Sequence, residues 1–287
     1  MGNQIGLWFY ELQTQNMKLG LRISRTLAQE KTPYQDLLVV DTLEYGRLLA
    51  LDGAIQLTVS DEFIYHEMIA HVPLMAHEDP KSVLVVGGGD GGTVREIVKH
   101  LSVEHVDLVE IDERVLDVCR RFFPEISRSL SDPRVRVAVG DGIEFVKKAT
   151  SQYDVIIIDS SDPIGPGVGL FEKEFYQGVF DALKPEGLFV AQTESPFSNR
   201  DLIQRVYASA KSIFPKAALY LAPIPTYPSG LWSFTTGSKV YDPISPARSM
   251  PDDIVCRYYT PEIHKAAFAL PRFVKELIGE YAGAGNA

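Results

Sequence analysis

The chain has 287 residues, of which 45% are hydrophobic and 23% charged, which is ordinary for a globular protein with one large domain or a main domain and a smaller companion. Its formal net charge of −10 argues against nucleic acid or an anionic membrane as a partner and favours a cationic ligand. No apolar run reaches the roughly twenty residues that span a bilayer, the chain start lacks an export signal, and Cys119 and Cys256 form no CxxC pair. We therefore expect a cytoplasmic protein without a disulfide framework or a thiolate metal site.

The first part of the chain has the pattern of a small antiparallel β domain. From Met17 to Thr58, apolar residues alternate or form short runs between turn residues, as in MKLGLRIS and DLLVVDT. The pattern then lengthens into a helix over SDEFIYHEMIAHVPLM, with Ser60 or Asp61 as the expected N-cap. We predict an N-terminal β domain over residues 1–60 and a larger domain over 61–287 that ends in a helical segment.

Residues 82 to about 240 alternate between strand and helix patterns, which predicts a doubly wound α/β sheet of mostly parallel strands. Ligands of such sheets bind at the carboxyl ends of the strands. The first strand ends in a GxGxxG pattern formed by Gly87, Gly89 and Gly92, which indicates a nucleotide-type ligand, although glycine clusters also serve simple tight turns.

The helix after these glycines is predicted to begin with a capping box of Thr93 and Glu96. Its spacing of apolar residues predicts one buried face. That face would consist of Val94, Ile97, Val98 and Leu101.

Acidic residues end the second and third strands. Glu110 follows the glycines by about twenty residues, where an acid commonly binds the two ribose hydroxyls of an adenosine. A solvated strand-end acid is the alternative, and Asp112 could be one. At the third strand end, Asp141 can accept from an exocyclic adenine amine and Gly142 leaves room for the base, unless the two residues simply form a turn.

The fourth strand, YDVIIIDSSDPIGPG, has a buried centre from Val155 to Ile158 and ends in Asp159 and Asp162. With Asp90 in the glycine turn, three carboxylates would converge on one crevice. Uncompensated acids repel one another, so we expect a cation among them. The spacing of the histidines in HEMIAH does not match a zinc motif, and an organic ammonium explains the acids more simply than a metal.

Together with EFIYHEMIAH and IPTYPSGLWSF, these motifs resemble the polyamine aminopropyltransferase family, and within it the spermidine synthases, over nearly the whole chain. The resemblance implies a methyltransferase-like Rossmann domain behind the β domain, assembled as a homodimer or homotetramer. It also implies an enzyme that transfers the aminopropyl group of decarboxylated S-adenosylmethionine to putrescine, giving spermidine and methylthioadenosine. The donor would be a co-substrate, and no cofactor or metal is implied.

The resemblance also implies roles for individual residues. Asp90 would hold the ammonium of the donor, and Asp159 would accept the proton of the attacking amine. Many relatives carry Gln at the position of His66. Tyr65 and His66 could instead face the core, and Tyr227 could be a packed aromatic. The implied donor-binding residues are Gln35, Asp90, Glu110, Asp141, Gly142 and Pro166, and the implied diamine-binding residues are Tyr65, His66, Asp90, Asp159, Asp162 and Tyr227.

Three alternatives stay open. The acceptor could be another amine, such as cadaverine, agmatine or a longer polyamine. The chain could be a methyltransferase that uses intact S-adenosylmethionine, although Asp90 would repel the α-carboxylate of that donor. It could also be a nucleotide-fold protein that only binds ligand or partners, against which the set of Asp159, Asp162 and Tyr227 argues.

Overall fold

The computed structural model describes residues 6–161 and 165–281, and within these ranges the chain forms two β-sheets in succession. The strands are β1 (Leu7–Thr14), β2 (Met17–Lys31), β3 (Asp36–Thr42), β4 (Arg47–Leu51), β5 (Ala54–Thr58), β6 (Ser82–Gly87), β7 (His105–Glu110), β8 (Val135–Val139), β9 (Tyr153–Asp159), β10 (Leu183–Gln192), β11 (Lys216–Ala222) and β12 (Trp232–Ser238). The helices are α1 (Glu62–Ala76), α2 (Gly92–Ile97), α3 (Glu113–Phe122), α4 (Pro124–Ser127), α5 (Gly142–Lys148), α6 (Lys173–Ala182), α7 (Arg200–Ile213), α8 (Pro261–Ala267) and α9 (Arg272–Leu277). None of these helices is long and apolar enough to cross a membrane.

The smaller sheet has the strand order β1-β2-β3-β4-β5, and each strand is antiparallel to its neighbour. The turn between β4 and β5 consists of Asp52 and Gly53, which both have positive φ angles, 50° and 82°. This backbone suits the twist of a tight hairpin and favours an Asp-Gly pair. The predicted antiparallel β region is confirmed.

The larger sheet has the strand order β11-β12-β10-β9-β6-β7-β8. The strands from β10 to β8 run parallel to one another, and β12 is antiparallel to both of its neighbours. Every residue of β9 is buried, as its run of apolar residues predicts. In the pairing of β6 with β9, Gly87 lies opposite Asp159. The glycine turn and the acid that ends β9 therefore lie at the same edge of the sheet.

Helices cover both faces of the larger sheet. Val83 and Val85 of β6 pack in one apolar cluster with residues of α1 and α2. The alternate residues Leu84 and Val86 pack in a second cluster with residues of α5, α6 and α7. Because side chains alternate across a strand, this division confirms the doubly wound α/β fold.

Helix α2 differs from its prediction. Its N-cap is Gly91 and no side chain caps it, while the Thr93 hydroxyl donates to Asp159 and Glu96 interacts with His71. The capping box is therefore wrong, because both side chains have tertiary partners instead. Leu101 is 79% exposed, since the helix ends at Ile97, before this residue.

Candidate active site

A cavity of about 250 Å³ lies at the carboxyl ends of the parallel strands and extends to the smaller sheet. Asp162 lies outside the described residues. The backbone of Pro166 belongs to a 3₁₀ segment, Gly165–Phe171. The other predicted site residues all line this one cavity, namely Gln35, Tyr65, His66, Asp90, Glu110, Asp141, Gly142, Asp159 and Tyr227.

The glycine turn packs directly against the end of β9. Gly87 has a φ of +83°, and a Cβ there would lie 2.2 Å from the carbonyl oxygen of Asp159. The next amide, of Gly88, donates to that same carbonyl at 2.8 Å. Only glycine fits this position, and the close approach holds the turn beside the Asp159 carboxylate.

Two hydroxyl groups hold the carboxylate of Asp159. Tyr65 donates to Oδ1 and Thr93 donates to Oδ2, each at 2.6 Å. Burial and the neighbouring Asp90 charge raise the pKa of Asp159, although the two hydroxyls and His66 act against this. Burial, followed by the charge of Asp159, raises the pKa of Tyr65 well above its usual range, so the phenol stays protonated. The pair can therefore offer a basic carboxylate beside a hydrogen-bond donor.

Asp90 is paired with an internal cation, which the sequence reasoning did not anticipate. His66 Nε2 lies 3.3 Å from Asp90 Oδ1, and His66 Nδ1 donates to Glu62 at 2.5 Å. Burial alone would lower the pKa of His66, but the carboxylates of Asp90 and Glu62 raise it to about 10. Burial would raise the pKa of Asp90, but the His66 imidazolium lowers it overall. Asp90 is therefore an ionised carboxylate whose charge His66 compensates, so a cation does lie beside this acid, but it is a side chain of the protein rather than the expected organic ammonium.

Glu110 lies against the glycine turn through its carboxylate. One oxygen accepts from the amide of Gly89 at 3.2 Å and the other from the amide of Asp112 at 2.9 Å. Burial, which these two amides oppose, raises its pKa to about 7. A group that donates hydrogen bonds in the cavity would favour the ionised form and lower this pKa.

Asp112 is buried rather than a solvated strand-end acid, with 1% of its surface exposed. Its carboxylate accepts from the Thr32 hydroxyl at 2.7 Å and from the Gln35 amide at 2.9 Å, and it caps α3 through the amide of Arg114. Asp112 therefore fixes the Gln35 side chain in the cavity wall. Asp141 caps α5 by accepting from the Ile143 amide at 2.8 Å, so it also has the simpler structural role considered for it.

The cavity is also lined by residues that sequence reasoning did not select, among them Glu11, Gln56, Gln192 and Trp232. Glu11 is a buried acid that accepts from the Ile55 amide at 2.8 Å. Its position could have been found from β1, because period-two alternation places Glu11 on the same side as the buried Phe9.

Aromatic side chains form part of the wall between the two sheets. The Tyr227 ring centre lies 5.7 Å from that of Tyr65 and 4.7 Å from that of Trp232. The Tyr227 hydroxyl donates to the backbone carbonyl of Gln56 at 2.5 Å. These rings give the cavity an apolar stretch of wall that suits methylene groups, with carboxylates elsewhere in the same lining.

The carboxylates in the cavity suit a cationic organic ligand. Asp90, Glu110, Asp159 and Glu11 all line it. Among the described residues, no group of three or more His, Cys, Asp or Glu side chains is arranged to hold a metal ion. The glycine turn and Glu110 offer the contacts that a nucleoside uses in folds of this type.

Comparison with known proteins gives one consistent picture. A family model described as "Spermine/spermidine synthase domain" matches residues 62–244, and one described as "Spermidine synthase tetramerisation domain" matches residues 7–59. A polyamine aminopropyltransferase from Moorella thermoacetica is 58% identical, with 95% of this chain and 96% of the relative covered. A polyamine aminopropyltransferase from Bacillus subtilis is 52% identical, with 95% of this chain and 99% of the relative covered.

Solved structures agree with the sequence comparisons. A spermidine synthase in complex with the transition state analogue AdoDATO superposes with a TM-score of 0.94, at 41% identity, with 97% of each chain covered. The spermidine synthase from Thermotoga maritima superposes with a TM-score of 0.91, at 40% identity, with 97% of this chain and 96% of that one covered.

Proposed function

The chain belongs to the spermine/spermidine synthase family, an aminopropyltransferase family, and we propose that it transfers the aminopropyl group of decarboxylated S-adenosylmethionine to putrescine, giving spermidine and methylthioadenosine. The observation that carries this proposal is the shared cavity. A buried basic carboxylate, Asp159, faces the same space as an ionised acid in a nucleoside-type glycine turn, Asp90.

The donor would bind along the glycine turn. Glu110 would accept hydrogen bonds from the two ribose hydroxyls, with its carboxylate already held by the amides of Gly89 and Asp112. Gln35, Asp141, Gly142 and Pro166 would contact the rest of the adenosine. Asp90 would receive the ammonium of the aminopropyl arm, and no α-carboxylate would be present to meet it. This arrangement favours the decarboxylated donor over intact S-adenosylmethionine.

The diamine would lie along the wall formed by Tyr65, Tyr227 and Trp232, with its methylene groups against the aromatic rings. The reacting nitrogen would lie beside Asp159 and the Tyr65 hydroxyl. The second ammonium would meet Glu11, a buried carboxylate on another wall of the same cavity. A chain with two amines suits a cavity with acids at separated positions, and Asp162 would add a further contact.

The chemistry would be an in-line displacement. The amine nitrogen forms a bond to the carbon of the aminopropyl arm that is attached to sulfur as the bond between this carbon and sulfur breaks, and sulfur keeps the electron pair and becomes a neutral thioether. The nitrogen gives up a proton to Asp159. Because positive charge moves from sulfur to nitrogen, a carboxylate beside the nitrogen stabilises the transition state more than the reactants. Alignment of the three reacting atoms supplies the remaining advantage.

We further propose that the protein acts as a cytoplasmic homodimer or homotetramer, with residues 1–60 as a β domain and 61–287 as the catalytic domain. Alternation along β1 leaves an apolar outward face, in which Trp8 is 48%, Tyr10 51% and Leu12 75% exposed. Such a face is typical of an interface. Light scattering that gave only monomer at micromolar concentration would contradict the assembly.

The test of the proposed reaction is a product assay by mass spectrometry. The protein is offered decarboxylated or intact S-adenosylmethionine, each with putrescine, cadaverine, agmatine and spermidine in separate reactions. We expect spermidine and methylthioadenosine from the decarboxylated donor with putrescine as the best acceptor. Methylated product from the intact donor, or a clear preference for another amine, would overturn the proposal.

A further inference from the structure

His66 belongs to a buried chain of four alternating charges. One of its ring nitrogens lies 3.3 Å from Asp90 and the other donates to Glu62 at 2.5 Å. Arg95 of α2 donates to the Glu62 carboxylate through both terminal nitrogens, at 2.9 and 2.8 Å. The side chains of His66 and Glu62 are 3% and 7% exposed, so water screens this chain little.

The backbone also limits the position of the imidazole ring. The Gly92 amide donates to Asp90 at 2.6 Å, on the same oxygen that faces His66. A Cβ at Gly92 would lie 2.3 Å from the ring. The ring is therefore packed against the turn that carries Asp90, and little room exists for it to move away.

These charges balance before a ligand enters, because Arg95 offsets Glu62 and His66 offsets Asp90, while Lys99 pairs with Glu96, the other carboxylate that Arg95 contacts. A donor ammonium placed on Asp90 would come close to a second positive charge. We propose that His66 is a built-in counter-ion of Asp90 that competes with the donor's ammonium for this carboxylate, and that Glu62 is the positioning residue that keeps His66 charged. The inference rests on the proposed function, since the competitor is the ammonium of the proposed donor.

Other groups facing His66 favour the charged ring. Glu62 lies on its own helix, Asp90 lies on the glycine turn, and the carboxylate of Asp159 approaches from β9. Tyr65, whose ring contacts that of His66, stays a neutral phenol. Arg95 opposes the charge, but its guanidinium donates to Glu62 and Glu96 rather than to the ring. With a pKa of about 10, His66 remains an imidazolium at the pH of the experiments below.

The benefit of this counter-ion lies in the empty site. Asp90 and Asp159 face one cavity, and without His66 their repulsion would destabilise the fold. The consequence is a lower affinity for a cationic donor. Three ligands separate these effects, because decarboxylated S-adenosylmethionine has an ammonium, the intact donor has an ammonium and a carboxylate, and methylthioadenosine has neither.

The test measures the affinity of these three ligands for the full chain by calorimetry at about pH 8. His66→Gln keeps a hydrogen-bond donor for Asp90 and removes the charge. We expect this variant to bind the decarboxylated donor at least about fivefold more tightly than the wild type and to bind intact S-adenosylmethionine more weakly. Its affinity for methylthioadenosine should stay within about twofold of the wild-type affinity. His264→Gln is the matched control, since this buried histidine bonds to Pro243 and Tyr259 away from the cavity, and it should shift none of the three affinities.

Glu62→Gln tests the positioning role. This variant should also raise the affinity for the decarboxylated donor. It should have no such effect when His66→Gln is already present, because Glu62 acts on the donor only through His66. If Glu62 had only a structural role, Glu62→Gln would lower the affinity for all three ligands equally, with or without His66→Gln. Independently of any ligand, ¹⁵N NMR of the wild-type ring at about pH 8 should show an imidazolium, and a neutral His66 would overturn the proposal whether or not the variants fold.

The outcomes separate this inference from the proposed function. If the wild type makes spermidine but His66→Gln leaves the affinity for the decarboxylated donor unchanged or lower, the counter-ion is refuted and the function stands. If the affinities shift as expected but no spermidine forms, the proposed acceptor is wrong and the counter-ion stands. A wild type that binds no decarboxylated donor overturns both.

Discussion

Replacing Asp159 with asparagine removes a proton acceptor while changing the shape of the site little. Tyr65 and Thr93 each donate to this carboxylate at 2.6 Å. An amide still accepts one of these hydrogen bonds, and the other hydroxyl can turn to accept from the amide nitrogen. The donor contacts at Asp90 and Glu110 are untouched. The variant should therefore fold and bind the donor with an affinity within about threefold of wild type.

The loss should appear in turnover. A simple amine has a pKa of roughly 10, so about one molecule in a thousand is neutral at pH 7, which corresponds to about 4 kcal/mol. A positioned base contributes about 10²- to 10⁴-fold in rate. We therefore expect Asp159→Asn to lower kcat about a thousandfold at pH 7. Because only amine that is already neutral can react, kcat/KM of the variant should rise about tenfold per pH unit towards the amine pKa.

In the wild type, the titration of Asp159 should set the acid side of the pH profile. Burial and the charge of Asp90 raise the pKa of Asp159, so its proton returns at a higher pH than for an ordinary carboxylate. Protonated Asp159 accepts no proton, and the rate falls as the pH decreases through this pKa. The variant lacks this group, so its profile should show no break at this pKa and only the continuous rise towards the amine pKa.

The assay measures methylthioadenosine release by mass spectrometry across pH, with donor affinity from calorimetry. Asp154→Asn is the matched control, since Asp154 lies near the other end of β9, accepts from the Ser82 amide and from Lys184, and does not line the cavity. It should lower stability but keep the rate per folded molecule. If Asp159→Asn keeps the wild-type pH profile and a rate within about tenfold, Asp159 is not the base. Equal losses of turnover and donor affinity would make it a binding residue.

Three other changes test the remaining walls of the cavity. Asp90→Asn keeps an acceptor for the Gly92 amide but removes the charge. It should lower the affinity for the decarboxylated donor about 10- to 100-fold and leave the affinity for methylthioadenosine unchanged. Calorimetry that shows equal losses of affinity for both ligands would contradict the ammonium contact. Methylthioadenosine should bind about tenfold more weakly at pH 6 than at pH 8, because Glu110 has a pKa of about 7 and must be ionised to accept hydrogen bonds from both ribose hydroxyls. Glu110→Gln should abolish this dependence of the affinity on pH. Glu11→Gln should raise the KM for putrescine about 10- to 100-fold. The slow reaction of butylamine, which lacks the second ammonium, should be unchanged. A parallel loss of activity with both amines would show that Glu11 stabilises the fold rather than binds the diamine.

Local pattern was enough to predict much of the fold. The run of apolar residues in β9 gave a central strand, and the glycine turn before α2 placed the cavity at the correct sheet edge. The same reasoning failed for Leu101 and for the Thr93–Glu96 capping box. Periodicity reports which face is buried, but it does not report which distant side chains will compete for a local hydrogen bond.

The sequence by itself determined the alternation of strands and helices from β6 to α7, the strand-end acids Glu110 and Asp159 and the place of the glycine turn, since all of these follow from short-range spacing. Only the tertiary structure decided which groups share the cavity. Tyr65 bonds to a carboxylate 94 positions away, and Glu11 to an amide 44 positions away. It also decided the charge of Asp90, because the pKa of a buried acid depends on the neighbours that folding supplies, here His66 braced by Glu62.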